Sequence, residues 1–126
     1  MAFIVDDSGN ITLIQGDSGT LVVNGLPTDK NYTVYFGIRD SKRNPIGSEI
    51  QVQTNGASAV SFVLSAALTD LLTVRTNEDT AEYYYGVKLC YNNDGTEDTL
   101  ILGDNDLSFT NTITVYPKRV EGIINA

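Results

Sequence analysis

The chain of 126 residues has the size of one ordinary domain, and 41% of its residues are hydrophobic, which is enough for a core. Sixteen acidic and eight basic residues give a formal net charge of −8, and such a surface repels nucleic-acid phosphates. The single cysteine, Cys90, excludes an internal disulfide, and the lack of histidine excludes Ser-His-Asp catalysis and histidine-based zinc sites. The composition predicts an acidic domain that is not an enzyme, needs no cofactor and binds no nucleic acid.

The N-terminal segment, Met1 to Asp7, lacks the basic start and the long apolar stretch of a signal peptide. No apolar run approaches the roughly 20 residues of a membrane-spanning helix. We therefore expect the protein to be made in a reducing cytoplasm and to have no membrane partner.

The first half of the chain alternates apolar and polar residues, with turn residues between the alternating runs, and this pattern is typical of all-β proteins. Ile11–Ile14 and Thr20–Val23 are predicted strands, and the Gln15–Gly19 turn between them contains two glycines. The clearest alternation runs from Tyr32 to Arg39. Four large apolar residues of this strand share one face, which is expected to face the core.

The middle of the chain combines a hairpin with the one break in the alternation. Glu49–Gln53 and Ala59–Leu64 are predicted strands, and Asn55-Gly56 between them is a strong hairpin signal. Residues 65–72 break the period of two. Ser65 is a suitable helix cap, so we predict a short helix there.

The second half repeats the alternating pattern. Glu82–Tyr91 is predicted to be the second long strand, and Asn92–Gly95 is predicted to turn the chain into a returning strand at Asp98–Leu102. Thr112–Tyr116 is the last predicted strand, and Pro117 ends it.

These elements amount to about eight strands and one short helix, with no strand–helix alternation that would favour a parallel sheet. We therefore expect a single all-β domain over residues 1–126. Its expected architecture is an antiparallel two-sheet β-sandwich, Ig-like or jelly-roll-like, with residues 118–126 as an extended C-terminal tail.

Carboxylates are the remaining candidates for chemistry. A glycosidase needs only two of them in a cleft, but the acidic groups here lie in or beside turns, where acids are common for structural reasons. Two oxygen-rich loops could also hold calcium, although neither has EF-hand spacing. No metal site is predicted, and the weak calcium candidates are Asp94, Glu97, Asp104 and Asp106.

Seven tyrosines form the most conspicuous group of side chains. Tyr32, Tyr83 and Tyr85 are predicted to point into the core. Tyr35 and Tyr84 are predicted to point outward, where tyrosine favours interfaces because its area is rigid and amphipathic. The predicted partner-binding residues are these two tyrosines and the apolar tail: Tyr35, Tyr84, Val120, Ile123 and Ile124.

The run from Ile11 to Gly19, a short strand leading into a Gln-Gly-Asp-Ser turn, resembles the opening of phage upper-baseplate N-terminal domains. Later segments resemble the same domains in their order along the chain. They are the Tyr32 to Asp40 strand with its polar loop, Tyr83–Leu89, the Asp94-Gly95 turn, the strand at Thr99 and the final strand Thr112–Tyr116.

The resemblance implies a domain that anchors to a virion. The chain stops where a tail protein would continue into a stalk or receptor-binding region, so the resemblance predicts attachment or assembly. We therefore expect a non-enzymatic phage or prophage virion protein of the tail or baseplate, with other virion proteins as partners and a homo-oligomeric state.

Three alternatives remain open at the level of sequence. A capsid decoration or head-fibre protein has the same composition as a tail component. A carbohydrate- or ligand-binding module would present a concave face bearing Tyr35 or Tyr84. A carboxylate enzyme would need a pair of carboxyl groups within about 10 Å of each other in a cleft.

Overall fold

The computed structural model describes residues 3–102 and 111–120. Nine strands and one helix are present in this part of the chain. In chain order they are β1 (Phe3–Val5), β2 (Ile11–Ile14), β3 (Gly19–Val23), β4 (Asn31–Arg39), β5 (Pro45–Asn55), β6 (Val60–Leu64), α1 (Ala66–Asp70), β7 (Ala81–Tyr91), β8 (Glu97–Leu100) and β9 (Asn111–Tyr116).

The prediction of an all-β chain is confirmed, and each of the eight predicted strands is present. The ninth strand is β1, whose three residues are too few to show an alternating pattern. The strands form one strongly curled seven-stranded sheet and one two-stranded sheet. The large sheet has the order β1-β2-β9-β7-β4-β5, with β8 also paired to β7, and the small sheet pairs β3 with β6.

The expectation of a purely antiparallel arrangement is wrong at one pair of strands. β2 runs parallel to β9 over four residue pairs, from Ile11 opposite Ile113 to Ile14 opposite Tyr116. Nearly the whole chain separates these two strands, so no hairpin fixes their relative direction. Alternation along a strand reports which face is buried and carries no information about the direction of its neighbour.

The central pair of strands, β4 and β7, is the part of the fold that the sequence predicts best. The inner face of β4 carries Tyr32, Val34, Phe36 and Ile38, all buried as expected. The inner face of β7 likewise buries Tyr83, Tyr85, Val87 and Leu89. The two strands pair in register over eight residues, so these two apolar rows face the core together.

Aromatic rings join the two sheets through the core. Phe36 of the large sheet lies with its ring centroid 5.5 Å from that of Phe62 in the small sheet and 5.2 Å from that of Tyr85. These spacings lie within the favourable range for aromatic pairs. Phe62 and Leu64 of β6 are fully buried, so the small sheet covers the inner face of the large one at this point.

Three buried tyrosines connect the core to the loops. Tyr32 donates its hydroxyl hydrogen bond to the carbonyl oxygen of Ala57, Tyr83 to that of Thr73 at 2.7 Å, and Tyr85 to that of Gly9. A buried phenol needs such a partner because its hydroxyl has left water. Each bond therefore fixes one loop against the core.

The predicted helix is present and begins where expected. Ser65 caps α1, and its Oγ accepts a hydrogen bond from the backbone N–H of Leu68 at 3.1 Å. The helix ends at Asp70, two residues before the predicted end, and of the two leucines that follow it Leu72 is buried and Leu71 is exposed.

The turn from Gln15 to Gly19 carries the chain from the large sheet to the small one. Its backbone bends at Gly16, whose φ is +87°, a conformation that glycine adopts without a steric cost. The side chain of Gln15 donates to the carbonyl oxygen of Asp70 at 2.8 Å, and Thr69 Oγ1 donates to that of Asp17 at 2.9 Å. These bonds join the turn to α1, so its polar residues have a structural role.

Gly19, at the start of β3, leaves room for Phe3. A Cβ atom placed on Gly19 would lie 2.1 Å from Cγ of the Phe3 ring, far inside contact distance. We expect Gly19→Ala to destabilise the protein by about 1–3 kcal/mol, because the Phe3 ring and β1 must move. Urea unfolding of the purified protein measures this change.

Gly86→Ala provides a matched control, since Gly86 also lies in a strand and nothing approaches within 4 Å of its ideal Cβ position. Its free energy of unfolding should stay within about 0.5 kcal/mol of the unchanged protein. Equal effects of the two substitutions would contradict the proposed contact between Gly19 and Phe3.

Candidate functional site

The outer face of β4 and β7 forms an open groove with a volume of about 790 Å³, which we call the β4–β7 groove. Three outward-facing residue pairs follow one another along it, each pair joining β4 to β7. They are Tyr35 opposite Lys88, Gly37 opposite Gly86, and Arg39 opposite Tyr84. Large side chains therefore stand at both ends of the row, and none stands in the middle.

The glycine pair forms the floor of the groove. Nothing lies within 4 Å of the position that a Cβ atom would take on Gly86. At Gly37, Glu49 Oε2 lies 3.3 Å from the corresponding position. β5 has a bulge at this point, because its three residues Gly47–Glu49 lie opposite the single residue Gly37 of β4. The bulge places Glu49 beside Gly37. The floor thus exposes backbone and one carboxylate.

The two tyrosines predicted to be interface residues both line this groove. Tyr35 and Tyr84 are partly buried. Four residue positions separate their places along the paired strands, a spacing of roughly 13 Å. The hydroxyl of Tyr84 donates to Glu82 Oε1 at 3.1 Å. This hydrogen bond, together with partial burial and the charge of Glu82, raises the pKa of Tyr84, and it leaves the phenol oxygen able to accept a hydrogen bond from a ligand.

A short loop after β4 forms one rim of the groove. Asp40 Oδ1 accepts hydrogen bonds from the backbone N–H groups of Lys42 and Asn44, both at 2.9 Å. The loop also places Arg43 at a φ of +68°, and Arg39 Nη1 donates to the Arg43 carbonyl oxygen at 3.3 Å. The hydrogen bond from the Asn44 backbone is the largest cause of a lowered pKa for Asp40.

The groove carries equal numbers of basic and acidic side chains in an otherwise acidic protein. Arg39, Arg43 and Lys88 line it, and so do Asp40, Glu49 and Glu97. The carboxylates of the groove are partly committed to partners, because Asp40 holds its loop and Glu97 lies 3.6 Å from Lys88 Nζ. The two guanidinium groups therefore remain the strongest donors available to a ligand.

Chemically, the arrangement suits binding of an extended ligand. Two phenol rings that extend from strand positions about 13 Å apart supply flat apolar contact, and the glycine floor allows a ligand backbone or ring to approach the sheet closely. Arginine, lysine and glutamate side chains add directional hydrogen bonds along the same line. The groove is open to solvent along its length, which suits a peptide segment, a protein loop or an oligosaccharide.

The other residues predicted as partner-binding do not join this groove. Val120 is 81% exposed and follows β9, near the ion pair that Lys118 Nζ makes with Asp70 Oδ1 at 2.9 Å. β9 pairs with β7 on the side away from β4, and Val120 does not line the groove. Ile123 and Ile124 lie outside the described residues.

The candidate calcium ligands are likewise divided. The carboxylate of Asp94 accepts a hydrogen bond from the backbone N–H of Thr96 at 2.9 Å, as in an ordinary turn, and Glu97 points toward the groove. Asp104 and Asp106 lie outside the described residues. Within residues 3–102 and 111–120, no three His, Cys, Asp or Glu side chains come close enough together to hold a metal ion.

The glycine floor and the charged lining of the groove are not predicted in the sequence analysis above. The alternation along β4 and β7 does put Gly37 and Gly86 on their outer faces, together with Arg39 and Lys88. A signal was present, since glycine weakens a strand interior and often marks a close backbone approach. Only the register of β4 against β7 shows that the two glycines lie directly opposite each other.

Comparisons with known proteins assign no relative: no family model and no curated protein matches this chain. In the part of the chain that the structure describes, no helix has the length and hydropathy needed to cross a membrane. The assignment of function therefore depends on the site itself.

The loop at the rim of the groove gives a prediction for pH dependence. The folded pKa of Asp40 is lowered, so its stabilisation of the loop is present above the ordinary carboxyl value of 3.8 and is lost as pH falls through the folded pKa. In NMR spectra, the amide signals of Lys42 and Asn44 should therefore titrate with a midpoint below 3.8.

Asp40→Asn is the control for this titration, because an asparagine oxygen still accepts backbone hydrogen bonds but does not ionise. The two amide signals should then show no such transition. A midpoint at or above 3.8 in the unchanged protein would refute the role assigned to Asp40.

Proposed function

We propose that this chain is a non-enzymatic docking domain of a phage or prophage virion, most directly a tail or baseplate component that attaches to other structural subunits. The observation that carries the proposal is the β4–β7 groove, in which Tyr35 and Tyr84 stand at the two ends of a glycine floor. The resemblance of the Ile11 to Gly19 segment and of the later strands to phage baseplate domains supplies the virion context.

A protein partner fits the residue types of the groove. Tyrosine and arginine are enriched among the residues that dominate binding energy at protein interfaces, and two outward-facing tyrosines and two arginines line this groove. The two tyrosines extend from the paired strands β4 and β7, so their backbone is already ordered before a partner binds. A loop or extended segment of another subunit would lie along the glycine floor, with a tyrosine at each end.

The carboxylates in the groove favour binding over hydrolysis. A general acid of a glycosidase needs a raised pKa, whereas the pKa of Asp40 is lowered by its loop. Glu97 has its charge balanced by Lys88. Glu49 alone stands over the floor, and a single carboxylate does not form the pair that glycoside hydrolysis requires.

The finer architecture belongs to the same proposal: two sheets packed as an Ig-like sandwich rather than a jelly roll. Buried residues of both sheets belong to one core cluster, which supports two facing layers. In the variable-type Ig arrangement, the strands of one sheet follow the order C′-C-F-G. Here β5, β4, β7 and β9 stand in that order, while β3 and β6 correspond to strands B and E of the other sheet.

A carbohydrate- or ligand-binding module is the second candidate, and one observation favours it. The groove combines two half-buried tyrosines with Glu49, Arg39 and Lys88, a set that could also stack on a sugar ring and bond to its hydroxyls. A capsid decoration or head-fibre protein would use the same groove at another place on the particle.

The proposal predicts that the tagged protein is incorporated into purified phage particles and lies on the tail when labelled with gold. Tyr35→Ala combined with Tyr84→Ala should reduce incorporation at least tenfold, because truncation of such anchors commonly costs about 2 kcal/mol or more each. Quantitative blotting of purified particles against a major structural protein measures this loss.

Tyr116→Ala is the matched control, since Tyr116 is an exposed tyrosine of the same sheet that does not line the groove. Its incorporation should equal that of the unchanged protein. Gold labelling on the head would replace the tail assignment with the capsid alternative. Absence from particles, with Tyr35-dependent binding on a glycan array, would replace the virion role with the ligand-binding module.

A further inference from the structure

β5 is the last strand of the large sheet and has an open outer edge. It pairs with β4 on one side, and in residues 3–102 and 111–120 no strand pairs with its other side. From Ile50 to Asn55 the strand is regular, with each residue in register with β4. Alternate residues of such an edge direct their N–H and C=O groups outward, where another strand can bind them.

Only the first half of β5 carries the features that normally protect an edge. Pro45 begins the strand, the Gly47–Glu49 bulge distorts it, and Leu68 and Leu71 of the helix region lie close to Gly47. The second half, Ile50–Asn55, contains no proline, no bulge and no charged residue. This half therefore remains competent for pairing.

The absence of charge continues well beyond this edge. No Asp, Glu, Lys or Arg occurs from Ile50 to Thr69, although charged residues make up 19% of the chain. This segment includes the whole of β6, whose Val63 is 63% exposed on the outside of the small sheet. Val22 on the adjacent strand is 52% exposed. An uncharged and partly apolar surface thus adjoins the open edge.

We propose that this edge is a self-association site, at which β5 of a second copy of the chain pairs antiparallel with β5 across a two-fold axis. Residues opposite each other in two paired strands point to the same face of the sheet. The buried faces of the two copies therefore lie on the same side only if inward-facing residues of one β5 lie opposite inward-facing residues of the other. Two of these registers pair five residues without entering the bulge, one centred on Val52 and the other on Gln53. The first includes Ile50, places Val52 opposite Val52 and places Gln51 opposite Gln53 of the second copy, over a paired length of about 17 Å.

A second copy is favoured by the distribution of charge. Each copy carries a net charge of −8, so most surfaces of two copies repel each other at close range. The segment from Ile50 to Thr69 is the longest part of the chain without a charged residue, so it adds no charge of its own to this repulsion. Gln51 and Gln53 are also self-complementary, because each amide both donates and accepts hydrogen bonds.

This interface lies next to the β4–β7 groove, because Gln51 of β5 stands opposite Tyr35 of β4 on the same outer face, but its hydrogen bonds would form at the other edge of β5. The proposed function leaves open how copies of the chain would associate, and the β5 edge supplies a geometry that does not require any other virion protein. A protein that self-associates through β5 but binds no partner in the groove would support this proposal and contradict only the proposed function.

Sedimentation equilibrium of the purified full chain tests the proposal directly. The unchanged protein should have twice its chain mass of 13.7 kDa at micromolar to millimolar concentration. Gln51→Lys combined with Gln53→Lys should weaken association roughly tenfold or more, because the introduced lysines lie opposite each other twice in the dimer. Gln51→Lys combined with Gln53→Glu should restore it, since each lysine then faces a glutamate.

Ile4→Lys combined with Val5→Lys is the matched control, because it adds the same two charges at exposed sites on β1, the other edge strand of the same sheet. This variant should remain dimeric, and circular dichroism should show that all variants keep their strand content. A monomer at every concentration overturns the proposal. A dimer that tolerates the two lysines also overturns it, as does one that the lysine–glutamate variant fails to restore.

Discussion

The in-register pairing of β4 with β7 is the constraint on which the rest of this structure depends. Its eight residue pairs place Phe36, Tyr85 and their neighbours in the core, and a slip of one residue would turn those rows toward solvent. The same register brings Gly37 opposite Gly86 on the outer face. The core and the candidate site are therefore two consequences of one alignment.

That alignment also explains how a small domain without disulfides secures its loops. The buried tyrosines lie on the inner face because of the register, and their hydroxyls reach the carbonyl oxygens of Ala57, Thr73 and Gly9. Apolar packing alone would leave those loops attached only at their ends. Each phenol adds apolar area and a directional bond at once, which suits tyrosine better than phenylalanine at these positions.

The strands and their buried faces could be predicted because alternation is a local property, and the tyrosine and valine rows of β4 and β7 display it over many residues. The parallel pairing of β2 with β9 could not be predicted, since no hairpin connects strands so far apart in the chain. The outward direction of Tyr35 and Tyr84 could also be predicted from this alternation. That both line one groove could not be predicted, because it depends on the register of β4 against β7 and on the bulge that brings Glu49 beside Gly37.

The parallel pairing of β2 with β9 has a mechanical consequence. Tension applied between the N-terminal side of β2 and the C-terminal side of β9 would pull these two strands in opposite directions along their own axes. The hydrogen bonds of their four residue pairs would then bear the load together in shear. The antiparallel β1–β2 hairpin, in contrast, would unzip one pair at a time. A domain joined to neighbours through both ends of its chain would resist extension at this pair of strands.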